Sequence, residues 1–129
     1  KLSRKNRDKG GTGFSLLGHS CEVSEASGVT LIIDSKSLPL LPQVYELASL
    51  GFIPEGRYTN EDYLYKKVCF DSSVDQTTRD ICFDPQTSGG LLLFMNKTDA
   101  EAFVSEMNAP FCKIIGEVVS NQDLNVKVV

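Results

Sequence analysis

The sequence predicts an α+β domain in which helices pack against a mixed β-sheet. Amphipathic segments that end at glycine or proline alternate with short β-branched apolar runs along the chain. The 129 residues suffice for one domain with its own core, and contents of 41% hydrophobic and 23% charged residues are typical of globular proteins. We therefore expect a single domain over residues 12–129.

The first helix is predicted over residues 13–26. Its apolar residues recur at helical spacing and are Phe14, Leu17 and Cys21. Thr12 is the expected N-cap, and Gly28 supplies the stop. The β-branched apolar run at residues 29–34 predicts a core strand.

A second helix is predicted from Pro42, which suits a first helical position, to about residue 50, before Gly51. Its entry, residues 38–41, is expected to pack inward. Glycine and proline punctuate residues 51–60, which indicates an ordered loop, and residues 60–65 are expected to form one or two helical turns.

The rest of the chain predicts four strands and two helices. The strands are expected at residues 66–70, 91–95, 111–119 and 124–128, and a short helix is expected within residues 71–80. Thr98 and Glu101 are spaced as a capping box, which predicts a helix that ends near Asn108. The apolar stripe of this helix consists of Ala102, Phe103 and Met107.

Residues 1–11 form a basic tail that we expect to be disordered or foreign to the domain. The first ten residues carry a net charge of +4, so the other 119 carry −8. This acidic body argues against a nucleic-acid partner, because such binding depends on Lys and Arg that neutralise phosphates. A contact of the tail with RNA or phosphate is the alternative to disorder.

No apolar run approaches the roughly 20 residues of a membrane span. The first residues also lack the apolar core of a signal peptide. We therefore expect a cytoplasmic protein without a membrane partner. The cysteines are widely spaced and form no CxxC pair, which favours reduced core thiols over disulfides or a metal cluster. They are Cys21, Cys69, Cys82 and Cys112.

The segment Phe83–Leu92, FDPQTSGGLL, has the composition of a binding turn. Asp-Pro opens a turn, the following hydroxyls are polar, and the paired glycines allow close approach to the backbone, so that successive N–H groups can converge on an anion. The alternative is a tight loop that precedes a buried strand. The candidate site residues are Asp84, Gln86, Thr87, Ser88, Gly89 and Gly90.

Four other residues are candidate site residues. Thr12 and Gly13 begin a helix, whose free N–H groups suit a phosphate, although an ordinary N-cap explains them equally well. His19 is the only histidine and is either a structural residue or a possible catalytic group. Asn60, near Arg57 and Tyr63, is a polar loop residue or a helix cap.

TGFSLLGH at residues 12–19 and FDPQTSGGLL together resemble the carboxyl-terminal half of selenophosphate synthetase (selenide, water dikinase). Between and after them lie SGV, LPLLP, GFIPEGRYTN and IIGEV, in the order of that family. The family belongs to the superfamily of aminoimidazole ribonucleotide synthetase. The resemblance therefore implies a PurM-like carboxyl-terminal domain with a mixed sheet.

The resemblance implies that the complete enzyme converts selenide, ATP and water to selenophosphate, AMP and phosphate. It implies Mg²⁺ and ATP as cofactor and substrate, an amino-terminal domain that supplies most of their ligands, and a homodimer. In this chain it points to Thr12, Gly13, Asn60 and the turn from Asp84 to Gly90 as lining of the cavity. None of the four cysteines matches the family's reactive residue, and this part alone is expected to be inactive.

The chain departs from the family's Asp-Val-Thr-Gly-Phe-Gly pattern at three positions. Gly10 and Gly11 replace the leading Asp-Val, and Ser15 replaces the last glycine. Magnesium favours carboxylate oxygens, which Gly10 lacks, so no metal ligand is expected in this chain. This departure favours the alternative of a non-catalytic interaction or regulatory module. A sister ATP-dependent synthetase is a third alternative, against which the DPQTSGG string argues.

Overall fold

The protein is represented by a computed structural model that describes residues 13–86 and 90–129. The helices are α1 (Ser15–Ser27), α2 (Val44–Ser49), α3 (Gly56–Leu64), α4 (Gln76–Cys82) and α5 (Lys97–Met107), with a 3-10 turn at Ser35–Ser37. The strands are β1 (Val29–Ile33), β2 (Val68–Phe70), β3 (Gly116–Ser120) and β4 (Val126–Val128).

The four strands form one mixed sheet in the order β2-β4-β1-β3. β4 lies parallel to both β1 and β2, and Val126 is the partner of Leu31 on one side and of Val68 on the other. β1 and β3 are antiparallel. The predicted α+β class with a mixed sheet is therefore confirmed.

The core lies where α1, α3 and α4 meet the sheet. Its buried apolar side chains are Leu17, Cys21, Leu31, Ile33, Leu64, Val68, Val74, Cys82, Phe83, Val126 and Val128. Burial raises the pKa of the Cys21 and Cys82 thiols to about 12, so both behave as neutral apolar groups near pH 7. Cys69 is exposed on the edge strand β2, so its predicted place in the core was wrong.

The start of α1 differs from the prediction. Phe14 occupies the N-cap position and the helix begins at Ser15, so the N-cap predicted at Thr12 was wrong. Ser15 has a φ of 68°, and its buried hydroxyl accepts a hydrogen bond from the Gly18 N–H at 3.2 Å. The predicted stop at Gly28 is confirmed, because this residue adopts the left-handed conformation.

The segment between β1 and β2 is more helical than predicted. α2 begins at Val44, after the left-handed Gln43, so Pro42 precedes the helix. Leu38 packs against the core as expected, but Leu41 is exposed.

α3 begins within the predicted loop of residues 51–60. The carbonyl groups of Pro54 and Glu55 accept hydrogen bonds from the Arg57 and Tyr58 N–H groups and start the helix there. The loop prediction was therefore wrong for Arg57, whereas the helical turns predicted from residue 60 are confirmed as far as Leu64.

The strand predicted at residues 91–95 is absent from the described part of the chain. An apolar run becomes a strand only when a neighbouring strand pairs with it, and the sheet does not extend to this segment. Leu91 is 88% exposed, so the prediction that it is buried was also wrong.

α5 and β3 also begin at residues other than those predicted. The N-cap of α5 is Asn96, whose side chain accepts a hydrogen bond from the Asp99 N–H at 2.9 Å, in place of the predicted capping box at Thr98. β3 begins at Gly116, so residues 111–115 lie outside the strand.

The tail at residues 1–11 lies outside the described residues, and the single domain over residues 12–129 stays a prediction. Across residues 13–86 and 90–129, no helix has the length and apolar character needed to cross a membrane.

Candidate functional site

The first and second sequence motifs meet at Gly13 and Gln86. A methyl group on Gly13 would lie 2.0 Å from the Gln86 carbonyl oxygen and 2.8 Å from its nitrogen. Such distances are below van der Waals contact, so only glycine allows this approach of two backbones. The start of α1 and the turn after α4 are therefore in direct backbone contact.

Asn60 joins the same two segments through its side chain. Its Nδ2 group donates to the Phe83 carbonyl oxygen at 2.9 Å and lies 3.3 Å from the Gly13 carbonyl oxygen, as a second, longer hydrogen bond. Asn60 is buried on α3, one turn before the core residue Leu64. Its place in a helix fixes the amide between the two motifs.

Arg57 lies one turn before Asn60 on the same face of α3. It is the one charged side chain among the buried residues of ranges 13–86 and 90–129. Its Nη2 group lies 2.5 Å from the Asp80 Oδ1 atom of α4, and Nη1 pairs with Glu61. The ion pair of Arg57 with Asp80 could not be predicted from the sequence, because 23 positions separate the two residues.

Asp84 continues from the end of α4 into the turn. Its N–H donates to the Ile81 carbonyl oxygen at 3.1 Å, which closes the last turn of the helix. Burial raises the pKa of its carboxyl group above the ordinary value of 3.8. No cation of the described residues forms an ion pair with it, so its negative charge is uncompensated there.

The structure brings together only some of the predicted site residues. Four of them lie where α1, α3 and the turn after α4 meet, and these are Gly13, Asn60, Asp84 and Gln86. Gly90 is exposed. The other predicted site residues, which are Thr12, Thr87, Ser88 and Gly89, lie outside the described residues, as does Gly10 at the position of the family's aspartate.

His19 is exposed on α1. Its Nδ1 atom lies 3.3 Å from the Glu22 Oε2 atom, and both side chains are more than half exposed. Its ring lies 6.2 Å from that of Phe14, which in turn contacts the Tyr63 ring edge-on at 5.7 Å. The imidazole is therefore exposed on the surface of α1.

The arrangement places the start of α1 beside the end of α4 and the first residues of the turn that follows. Free N–H groups at a helix start are a general site for anions such as phosphate. Within residues 13–86 and 90–129, no group of three or more His, Cys, Asp or Glu side chains is placed to hold a metal ion. Magnesium usually takes only one or two carboxylates together with phosphate oxygens and water, so these residues would hold it only together with further ligands such as the phosphates of a nucleotide.

Comparison with known proteins finds relatives that share one name. Selenide, water dikinase of Clostridium botulinum (strain Eklund 17B / Type B) is 41% identical over 114 residues, which are 87% of this chain and 33% of the relative. The enzyme of the same name from Caldanaerobacter subterraneus subsp. tengcongensis is 42% identical over 120 residues, or 91% and 35% of the two chains. That of Clostridioides difficile (strain 630) is 41% identical over 120 residues, or 91% and 34%.

The chain thus spans about a third of the length of the curated relatives it matches. Residues 11–129 match the family described as AIR synthase related protein, C-terminal domain. This match includes the whole sheet and every described helix. The chain therefore belongs to the family of AIR synthase related protein carboxyl-terminal domains.

Proposed function

We propose that this chain is the carboxyl-terminal domain of a selenide, water dikinase and that it contributes one wall of the nucleotide site. The names of the relatives support the activity, and the contact between Gly13 and Gln86 supports the location. This contact places the two motifs that resemble the family beside each other, as residues of one site would lie. The observation that carries this proposal is that the Asn60 side chain hydrogen-bonds to both segments.

The reaction of the complete protein would consume selenide, ATP and water and release selenophosphate, AMP and phosphate. Phosphoryl transfer depends on groups that position the phosphates and stabilise their charge. The start of α1 and the Asp84–Gly90 turn would supply N–H donors for this purpose. Half of such a cleft cannot position both reactants, so this domain alone would be inactive.

We assign Mg²⁺ and ATP to the complete protein, because phosphoryl transfer of this kind uses nucleotide phosphates that are bridged by magnesium. Gly10, at the position of the family's aspartate, has no side-chain oxygen. The metal ligands would therefore come from the amino-terminal domain. The uncompensated Asp84 carboxyl would then lie near the cations that accompany the nucleotide.

The exposed apolar side chains support the amino-terminal domain as the partner. Large apolar side chains that are exposed on one domain are candidates for contact with another. Such side chains lie in the segment after Gly90, at the end of α5, in the connection that follows it and on the outer strand β3. These side chains are Leu91, Leu93, Phe94, Met95, Met107, Phe111, Ile114 and Val118. We propose that the amino-terminal domain covers them in a cytoplasmic homodimer of the complete protein.

Gly10 supports a second candidate, a non-catalytic module of the same fold. If the carboxylate at this position is required beside the ligands of the amino-terminal domain, its loss would abolish phosphoryl transfer and leave the backbone contact between Gly13 and Gln86 unchanged. The two candidates therefore differ in ATP consumption and not in structure.

Phosphorus NMR of the complete protein with Mg²⁺, ATP and selenide under reducing conditions tests the proposal. We expect selenophosphate and AMP from the complete protein and none from the 129-residue chain alone. In the complete protein, Asn60→Ala should reduce selenophosphate formation, whereas Thr59→Ala, on the exposed side of the same helix, should not. A complete protein that consumes no ATP would overturn the activity and favour the non-catalytic module.

A further inference from the structure

Arg57 has an environment that stability alone does not explain. Its side chain is 5% exposed, and burial of a charge is costly unless partners compensate for it. Apolar replacements of buried ion pairs are often as stable as the pairs themselves. In addition, its Nε group is buried with no hydrogen-bond partner among the described residues, which adds to the energetic cost of its burial.

The contacts of Arg57 converge on the end of α4. Its guanidinium pairs with Asp80, and its Cζ atom lies 5.7 Å from the centre of the Phe83 ring. Tyr58 covers the guanidinium at 4.7 Å. Since an arginine side chain has a planar fork, ion pairing and stacking fix its orientation together.

Side chains of α3 therefore contact both the backbone and the ring of Phe83. Asn60 bonds to its carbonyl oxygen, and Arg57 stacks near its ring. Phe70 of β2 packs against the same ring at 5.7 Å. Phe83 is 2% exposed and immediately precedes Asp84, so its position determines where the turn begins.

We propose that Arg57 is a positioning residue for the turn that follows Phe83. From the core it fixes the Phe83 ring and the end of α4, and in this way it sets the approach of Gln86 to Gly13. This role rests on the proposed function, because the turn is taken to bind the nucleotide. Arg57 does not touch the nucleotide itself.

The test distinguishes an effect of Arg57 on the position of the turn from an effect on the stability of the complete protein. Arg57→Met leaves Asp80 without its partner and should lower both the melting temperature and kcat/KM for ATP. The double variant Arg57→Met with Asp80→Leu removes both charges, so its melting temperature should return to within a few degrees of wild type. Its kcat/KM should remain reduced by about tenfold or more, mainly through KM, because the turn is still misplaced.

Two further variants complete the test. Arg57→Lys keeps the charge but lacks the planar fork, so its KM should lie between those of wild type and Arg57→Met. Lys67→Met is the control, because it breaks the Lys67–Glu25 ion pair of 2.5 Å without a contact to Phe83. It should leave KM unchanged.

Wild-type kcat/KM in a folded Arg57→Lys variant or in the double variant would overturn the positioning role. A wild-type protein that consumes no ATP would instead overturn the proposed function, and amide hydrogen exchange of residues 83–86 then decides the positioning role separately. We expect faster exchange there in the double variant and unchanged exchange in Lys67→Met. Equal exchange of these residues in the wild-type protein, the double variant and Lys67→Met would overturn the inference.

Discussion

Gly13 and Gln86 approach so closely that a single methyl group on Gly13 would overlap the Gln86 carbonyl oxygen. Gly13→Ala should therefore force the helix start and the turn apart and lower the free energy of unfolding by about 1–3 kcal/mol. Urea denaturation measures the change. Gly90→Ala is the matched control, since nothing lies within 4 Å of the added methyl group. Equal effects of the two substitutions would contradict the contact.

Asn60→Ala should leave the buried Phe83 carbonyl oxygen without its donor. The expected loss is about 1–3 kcal/mol of unfolding free energy, because an unsatisfied buried acceptor keeps its desolvation cost. Thr59→Ala, which changes an exposed neighbour on α3, should alter it by less than about 0.5 kcal/mol. Chemical denaturation of both variants compares them. A loss below 0.5 kcal/mol in Asn60→Ala would argue that the bond is replaced by water.

Ser15 has a left-handed backbone, with a φ of 68°, where the family pattern has glycine. Ser15→Ala would keep the unfavourable conformation and lose the hydrogen bond from Gly18, whereas Ser15→Gly would lose the bond but relieve the strain. We expect the glycine variant to be more stable than the alanine variant by about 1 kcal/mol. Thermal unfolding of the pair checks the order, and a more stable alanine variant would contradict it.

The Asp84 carboxyl should make the free energy of unfolding fall as the pH rises, whereas most carboxylates make it rise. Burial raises the pKa of its carboxyl above 3.8, so the folded state binds this proton more tightly than the unfolded state. Its charge therefore destabilises the fold at pH 7, and the cost vanishes as the pH falls to about 3.8. Asp84→Asn should increase the free energy of unfolding near pH 7 and leave it unchanged below about pH 3.8.

Asp75 provides the control for that measurement. Hydrogen bonds, the largest from the Thr78 N–H at 2.8 Å, lower the pKa of the Asp75 carboxyl. Its stabilising effect is present above pH 3.8 and is lost as the pH falls through the lowered pKa. Asp75→Asn should thus reduce stability near pH 7. Urea titrations over a range of pH would contradict both assignments if the two variants changed stability in the same direction.

Elements with strong local signals were predictable from the sequence. β1 is a short β-branched run, and α1 ends at Gly28, a residue suited to the left-handed cap that it forms. The run at residues 91–95 is entirely apolar, as a buried strand would be, but it has no partner strand in the described sheet. Pairing is a property of the whole fold, so composition alone could not decide it.

The candidate site was predictable in its residues but not in its connections. The glycine of Thr12-Gly13 and the Asp84–Gln86 turn were visible as motifs. Asn60 was recognised only through the resemblance, since a buried asparagine inside a helix has no local signature. The ion pair of Arg57 and Asp80 depends on how α3 and α4 pack together, which only the folded structure reveals.

The position of β4 between β1 and β2 has a consequence for the order of events during biosynthesis. β2 has no strand neighbour in the described sheet until β4 is made, because Val68 pairs with Val126, 58 positions later. At roughly 5–20 residues per second, the ribosome takes about 3–12 s to produce that stretch. Throughout this interval the nascent chain exposes an unpaired edge to chaperones and to other nascent chains.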